Sequence, residues 1–210
     1  MRARKGQVAL TFDMEHPSRR HHDPLAPTAI LDSLRNTNVR ATFFVQGRWA
    51  RAEPNLAARV VNDGHLIGCH SNFHAPLVQL TDEGIRSDVE AASNAIGEVT
   101  GREPRPWFRC PFGAGHDDLR VLRVLRDCGY RNVHWNVDPQ DWLESTTADA
   151  LIQSVLDGVT QQPNGAVVLL HTWPAVTAAA LPMLIERLAA SERECVGIDD
   201  LESMAIQGKD

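Results

Sequence analysis

Short apolar runs alternate with longer amphipathic ones about seven times along these 210 residues, and that alternation limits the fold more than any other feature. Residues 8–12, 41–45, 66–69, 107–108, 132–137, 166–170 and 195–198 read as strands, being short, apolar or β-branched and bounded by turn residues. Residues 27–36, 54–63, 82–99, 117–128, 147–160 and 175–190 read as helices. Their ends carry recognisable punctuation. Pro27 is tolerable in a first helical turn, Thr81 is an N-cap, and Gly64, Gly101 and Gly129 follow helix ends. Gly47 stops the second strand, and Pro182 is expected to kink or split the last helix. Strand and helix in this order favour a parallel sheet with crossover helices, either open and doubly wound or closed into a barrel. The polar residues choose between the two. Asp13, His70, Arg109, Asp138 with Asp141, and His171 each sit at the carboxyl end of a different strand. A barrel gathers those ends on one rim, where barrel sites lie, whereas an open sheet spreads them along a line. A barrel is therefore the expectation.

Hydrophobic residues are 43% and charged residues 23% of the chain, enough to bury a core without staples. With no internal repeat, low-complexity tract or linker, residues 1–210 read as one catalytic domain. The net charge of −6 argues against a nucleic-acid or anionic-membrane partner, and no apolar stretch approaches the length of a membrane span. The basic start, Met1 to Gly6, is followed by an apolar run too short for a signal-peptide core. The expectation is a cytoplasmic protein, or a secreted one if a leader precedes the sequence. Cys69, Cys110, Cys128 and Cys195 show no paired spacing and read as four buried thiols.

Each polar cluster has a functional and an ordinary reading. His70 and His74 are four apart, so a helical turn would aim both imidazoles at one cation; such pairs are more often surface or capping residues. Asp13 and Glu15 are two apart and share a side if the strand continues, one free to bind metal and the other to take a proton; the ordinary reading is a cap. Arg109, ahead of the rigid Pro111 turn, can hold a carboxylate bidentately or form a structural salt bridge. Asp138, Asp141 and Trp142 follow one strand, and His171 ends another after Leu169; alone, these are a turn with a packed indole and a core histidine. The loop from His16 to Asp23 is a rim segment or a solvated basic loop, and Trp173 stacks on a sugar ring or packs under a helix.

Taken together and in order, Thr11-Phe12-Asp13, His70-Ser71 with His74, Arg109 with Pro111-Phe112, Asp138 with Asp141-Trp142, and Leu169 with His171 make the sequence resemble the NodB-homology polysaccharide deacetylases, carbohydrate esterase family 4. Residues 41–47 look like that family's second-strand signature. The resemblance covers about residues 7–200 and implies a distorted (β/α)7-type barrel and metal-assisted removal of an N-acetyl group from an amino sugar. It departs at Met14, where the usual motif has a second aspartate; Glu15 fits the spaced variant. The resemblance thus implies Glu15, His70 and His74 as ligands of a divalent metal, zinc first, with cobalt or nickel possible at such a donor set. It implies Asp13 as base, Arg109 as the group orienting it, the Phe112 backbone N–H at the oxyanion, and His171 as the acid, tuned by Asp141. Trp142 and Leu169 would wall the acetyl pocket. A Glu15 turned away from the site would leave Asp13 to the metal. Two other functions stay open: a cytoplasmic amidohydrolase of the same fold opening a small cyclic amide or imide, and a non-catalytic sugar binder marked by Met14.

Overall fold

The computed structural model describes residues 6–16, 22–163 and 165–201. Its strands are β1 Gln7–Met14, β2 Thr42–Val45, β3 Leu66–Cys69, β4 Trp107–Phe108, β5 Arg131–Asn132, β6 Ala166–His171 and β7 Glu194–Cys195. Its helices are α1 Ala26–Asn36, α2 Gly47–Ala52, α3 Pro54–Asn62, α4 Asp82–Thr100, α5 Leu119–Asp127, α6 Ala148–Gln161 and α7 Ala175–Ala190. All strand pairs are parallel, in the order β5-β4-β3-β2-β1-β6, with β7 beside the start of β1. The curled sheet is drawn together by one bridge, Val137 to Val168, where the Leu169 N–H donates to the Val137 carbonyl at 2.9 Å.

The two faces of each strand explain the near-continuous apolar runs. From β1, Val8, Leu10, Phe12 and Met14 join the main core shared with the helices, and Ala9 joins a smaller interior cluster with Phe44, Val133, Val167 and Ile198. Thr11 and Asp13 follow Ala9 on that interior side by the period of two. Met14 is thus a core residue, fully buried on the opposite face from Asp13. Gly68 admits Phe44 into the interior: a Cβ there would lie 2.8 Å from the Phe44 ring.

Several expectations are corrected. The strand expected over 132–137 pairs with β4 only at Arg131–Asn132, because the chain then leaves β4 and crosses to β6 to draw the barrel together. The last strand is Glu194–Cys195 rather than 195–198; beyond it, Ile198 turns inward and its N–H donates to Thr42 Oγ1 at 3.1 Å. Pro182 neither splits nor ends α7, whose Leu181, Leu184, Ile185 and Leu188 stay buried along one face. β2 does end at Val45, just ahead of Gly47, which also opens α2. A Cβ there would sit 2.6 Å from Asn72 Oδ1 and 2.7 Å from Ala92 Cα, so the glycine marks a close approach. Thr81 caps α4 by accepting from the Gly84 N–H at 3.1 Å, and Gly101 closes it with φ +67°. Of the cysteines, all free, Cys69 and Cys110 are buried and Cys128 and Cys195 only half-buried.

Candidate active site

β1 delivers both carboxylates. Asp13 pairs across the ladder with Phe44 on β2 and with His171, the last residue of β6, so the first acid and an imidazole stand on neighbouring strands at the barrel mouth. Glu15, two residues on, falls on the same side and is buried.

His70 follows the end of β3. Its Nδ1–H donates to the Arg109 carbonyl at 2.8 Å; because a carbonyl only accepts, the neutral ring presents its lone pair at Nε2, toward the site. His74 is brought to it by a loop and not, as the spacing suggested, by a helical turn. Ser71 and His74 are both left-handed, each at φ +59°, and the His74 N–H donates to Ser71 Oγ at 2.8 Å. His74 Nε2 lies 3.1 Å from His70 Nε2 and 2.5 Å from Glu15 Oε2, and His70 Nε2 lies 3.5 Å from the same oxygen. Glu15 Oε2 is buried with no partner in hydrogen-bond geometry, while Oε1 accepts from Trp173 Nε1 at 3.4 Å. Two imidazole nitrogens and one carboxylate oxygen, all within 4.8 Å of one another, are a donor set a divalent cation can take. The orphaned oxygen and the His70 tautomer fit that use. Burial pushes the Glu15 carboxyl up, but the two rings facing it prevail and hold it well below the usual carboxylate range. Burial disfavours a charged His70, yet Asp13 and Glu15 outweigh it and raise its pKa.

Asp13 is engaged elsewhere. Arg109, entirely buried, donates from Nη1 to Asp13 Oδ1 and from Nη2 to Thr11 Oγ1, both at 2.8 Å, and from Nε to the Val133 carbonyl at 3.2 Å. Its guanidinium lies 4.1 Å above the Phe44 ring. Burial lowers the Arg109 pKa, against the Asp13 charge. Asp13 Oδ2 is 3.4 Å from His70 Nε2, so one oxygen is held by Arg109 and the other faces the cluster.

Opposite stands a second pair. Asp141, buried, accepts from His171 Nδ1 and from the His171 and Thr177 donors N–H and Oγ1–H, each at 2.7 Å. Burial opposes charge on His171, but Asp141 outweighs it and lifts the pKa to about 9. Because the folded value is raised above about 6.5, the ordinary histidine value, this pair stabilises the fold fully below that pH and ceases to as pH rises through about 9. Unfolding free energies measured from pH 6 to 10 should therefore fall more steeply in the wild type than in Asp141→Asn.

Between the two pairs lies a cavity of about 250 Å³. Asp13, Glu15, His74 and His171 supply its polar groups; Trp142, Leu169, Phe112, Trp135 and Trp173 supply apolar wall, and Asp138 also lines it. Phe112 sits in a left-handed conformation at φ +57°, with its ring exposed and 4.4 Å from that of His74. Sequence reasoning left Trp173 undecided, gave Thr11 no role beyond its place in a motif, and did not name Trp135 or Thr177. Trp173 is buried against Glu15, and only its nearness in sequence to His171 pointed to it. His16 is exposed and donates its backbone N–H to Gln46 Oε1; residues 17–21 of the proposed rim segment lie outside the described residues.

A parallel barrel with a His–His–carboxylate cluster and a His–Asp pair across one cavity defines the class: an α/β-barrel protein whose polar groups converge at the carboxyl ends of its strands. More narrowly, the chain belongs to the polysaccharide deacetylase family, whose profile matches residues 1–133. It is 32% identical over 168 residues to a chitooligosaccharide deacetylase of Azorhizobium caulinodans, covering 80% of this chain and 74% of that protein. It is 32% identical over 201 residues to a peptidoglycan-N-acetylglucosamine deacetylase of Listeria monocytogenes, covering 96% of this chain but 40% of the relative. Among solved structures, a family 4 carbohydrate esterase from Streptomyces lividans in complex with acetate matches with TM-score 0.80 and 30% identity, over 96% of this chain and 98% of that one. A carbohydrate esterase family 4 pseudoenzyme from Bacillus anthracis matches with TM-score 0.84 and 27% identity, over 96% and 67%. Among the described residues, no helix is long and apolar enough to cross a membrane.

Proposed function

We propose that this protein hydrolyses the N-acetyl amide of an N-acetylated amino sugar, in a chitooligosaccharide, a peptidoglycan-like polymer or a small glycoside, with a divalent cation held by Glu15, His70 and His74. The observation that carries the reading is the buried Glu15 Oε2, unpaired in hydrogen-bond geometry and faced by two imidazole nitrogens. Zinc suits two nitrogens and one oxygen best, and cobalt or nickel suits them too. When bound, the cation supplies Lewis acidity toward the acetyl carbonyl and toward water.

The chain's own residues divide the remaining work. Asp13, with one oxygen fixed by Arg109, presents the other as the proton acceptor from water. His171, kept protonated by Asp141, donates a proton to the departing amine. The left-handed turn at Phe112 brings that residue to the cavity, where its backbone N–H serves the developing oxyanion. Trp142 and Leu169 give the acetyl methyl an apolar wall.

The likeness to a pseudoenzyme makes a non-catalytic sugar binder the reading to weigh against this one. The presence here of both ion pairs, Asp13 with Arg109 and His171 with Asp141, favours catalysis, since binding alone needs neither acid nor base. The deciding assay incubates zinc-loaded protein with N-acetylglucosamine oligomers of several lengths and, separately, with cyclic ureides. Acetate release is the expected result; ring opening without acetate would transfer the site to the amidohydrolase reading, and no turnover of either would leave a binder.

A further inference from the structure

The two histidines converge without a helix to align them, so something else must bend the chain between them. Ser71 and His74 both occupy the left-handed region, which a non-glycine residue keeps only where its surroundings impose it. The loop is tied at its start by strand-like bonds: the His70 N–H donates to the Val45 carbonyl and the Gly47 N–H to the Ser71 carbonyl, both at 2.9 Å. Two successive N–H groups of its middle are held by one side chain from outside the loop. Asp88, on α4 and only 6% exposed, accepts the Asn72 N–H on Oδ2 at 2.9 Å and the Phe73 N–H on Oδ1 at 3.0 Å.

We infer that Asp88 is a positioning residue for the cation site, its carboxylate gathering the backbone N–H groups of Asn72 and Phe73 so that His74 Nε2 is delivered beside His70 Nε2 and Glu15. The inference rests on the proposed metal site and extends it to a residue that touches neither metal nor substrate. Both carboxylate oxygens are used, one on each of two successive N–H groups, so an amide cannot replace it: one of its two terminal atoms is itself a donor and would face an N–H. Loss of the carboxylate removes the acceptor of both N–H groups at once, and the loop between the histidines is then free to leave the bend they need. Gly47 adds to the constraint by admitting Asn72 against α2, where any Cβ would collide with Asn72 Oδ1.

The test measures zinc affinity by chelator competition on wild type, Asp88→Asn, Asp88→Ser and Asp88→Glu, with circular dichroism to establish folding and the cobalt(II) absorption spectrum to report ligand geometry. Folded Asp88→Asn is expected to bind zinc about 10–100-fold more weakly, the size typical of losing a partner that orients a ligand, and to change the cobalt spectrum. Asp88→Ser leaves room for water in place of the carboxylate and serves as the second variant if Asp88→Asn fails to fold; without a side chain reaching both N–H groups, the same loss is expected. Asp88→Glu, with both oxygens retained, should recover part of the affinity. Wild-type affinity and spectrum in either folded variant, Asn or Ser, overturn the role of Asp88 while leaving the metal site intact. A wild type that binds no zinc or cobalt overturns the metal site itself, and this inference with it.

Discussion

Asp13→Asn is expected to lower kcat/KM for acetate release by about 10²–10⁴-fold, the range for loss of a general base, without changing the amount of zinc bound. The separation of the two effects follows from how Asp13 is held. Its Oδ1 receives Arg109 Nη1, and the proposed cation donors are Glu15, His70 and His74 instead. Asparagine nearly preserves the shape but cannot take a proton from water. Steady-state kinetics on a metal-saturated variant, with bound zinc counted by elemental analysis, reads both quantities. Loss of zinc in step with activity would make Asp13 a ligand and reassign the base.

Arg109→Met should cost about 3–5 kcal/mol of folding stability, the penalty for stranding one member of a buried ion pair. Arg109 is fully buried, and its guanidinium donates three hydrogen bonds, to Asp13, Thr11 and the Val133 carbonyl. Methionine fills much of the volume and leaves Asp13 charged, or forced to neutralise, in an interior lined by Phe44 and Trp135. The double variant Arg109→Met with Asp13→Asn carries no charge there and should recover part of the loss, a non-additivity expected of contacting residues. Urea unfolding midpoints across the four proteins give the coupling directly. Additive losses would mean that the pair does not act as a unit.

Those two residues lie 96 positions apart in sequence, and their meeting illustrates what could be read beforehand. Patterning alone placed Asp13 and Glu15 on one side of a strand, because a strand has period two and Met14 belongs to the other face. Caps alone placed α4, through Thr81 and Gly101. The order of polar strand ends suggested a barrel. Register was not legible: nothing in the local sequence says that Asp13 stands beside His171, which depends on how β1 and β6 align. The His70–His74 spacing is ambiguous, since a helix and a doubly left-handed loop can both bring residues four apart together, and only the loop forms here. Asp88 was invisible because an acid within an amphipathic helix reads as a solvated one until its packing partner is known. Trp135 joins the cavity only because the chain crosses from β4 toward β6, a closure that short strands do not announce.

The proposed metal site depends most on Glu15, the acid one residue beyond Met14, where the family's usual motif has a second aspartate. Isothermal titration of zinc into metal-stripped wild type and Glu15→Ala tests it most directly. Wild type should take up one equivalent, and Glu15→Ala, lacking one of three protein donors, should bind more than about 100-fold more weakly, beyond the loss typical of an outer partner. Equal affinity and stoichiometry in the two proteins would contradict the account.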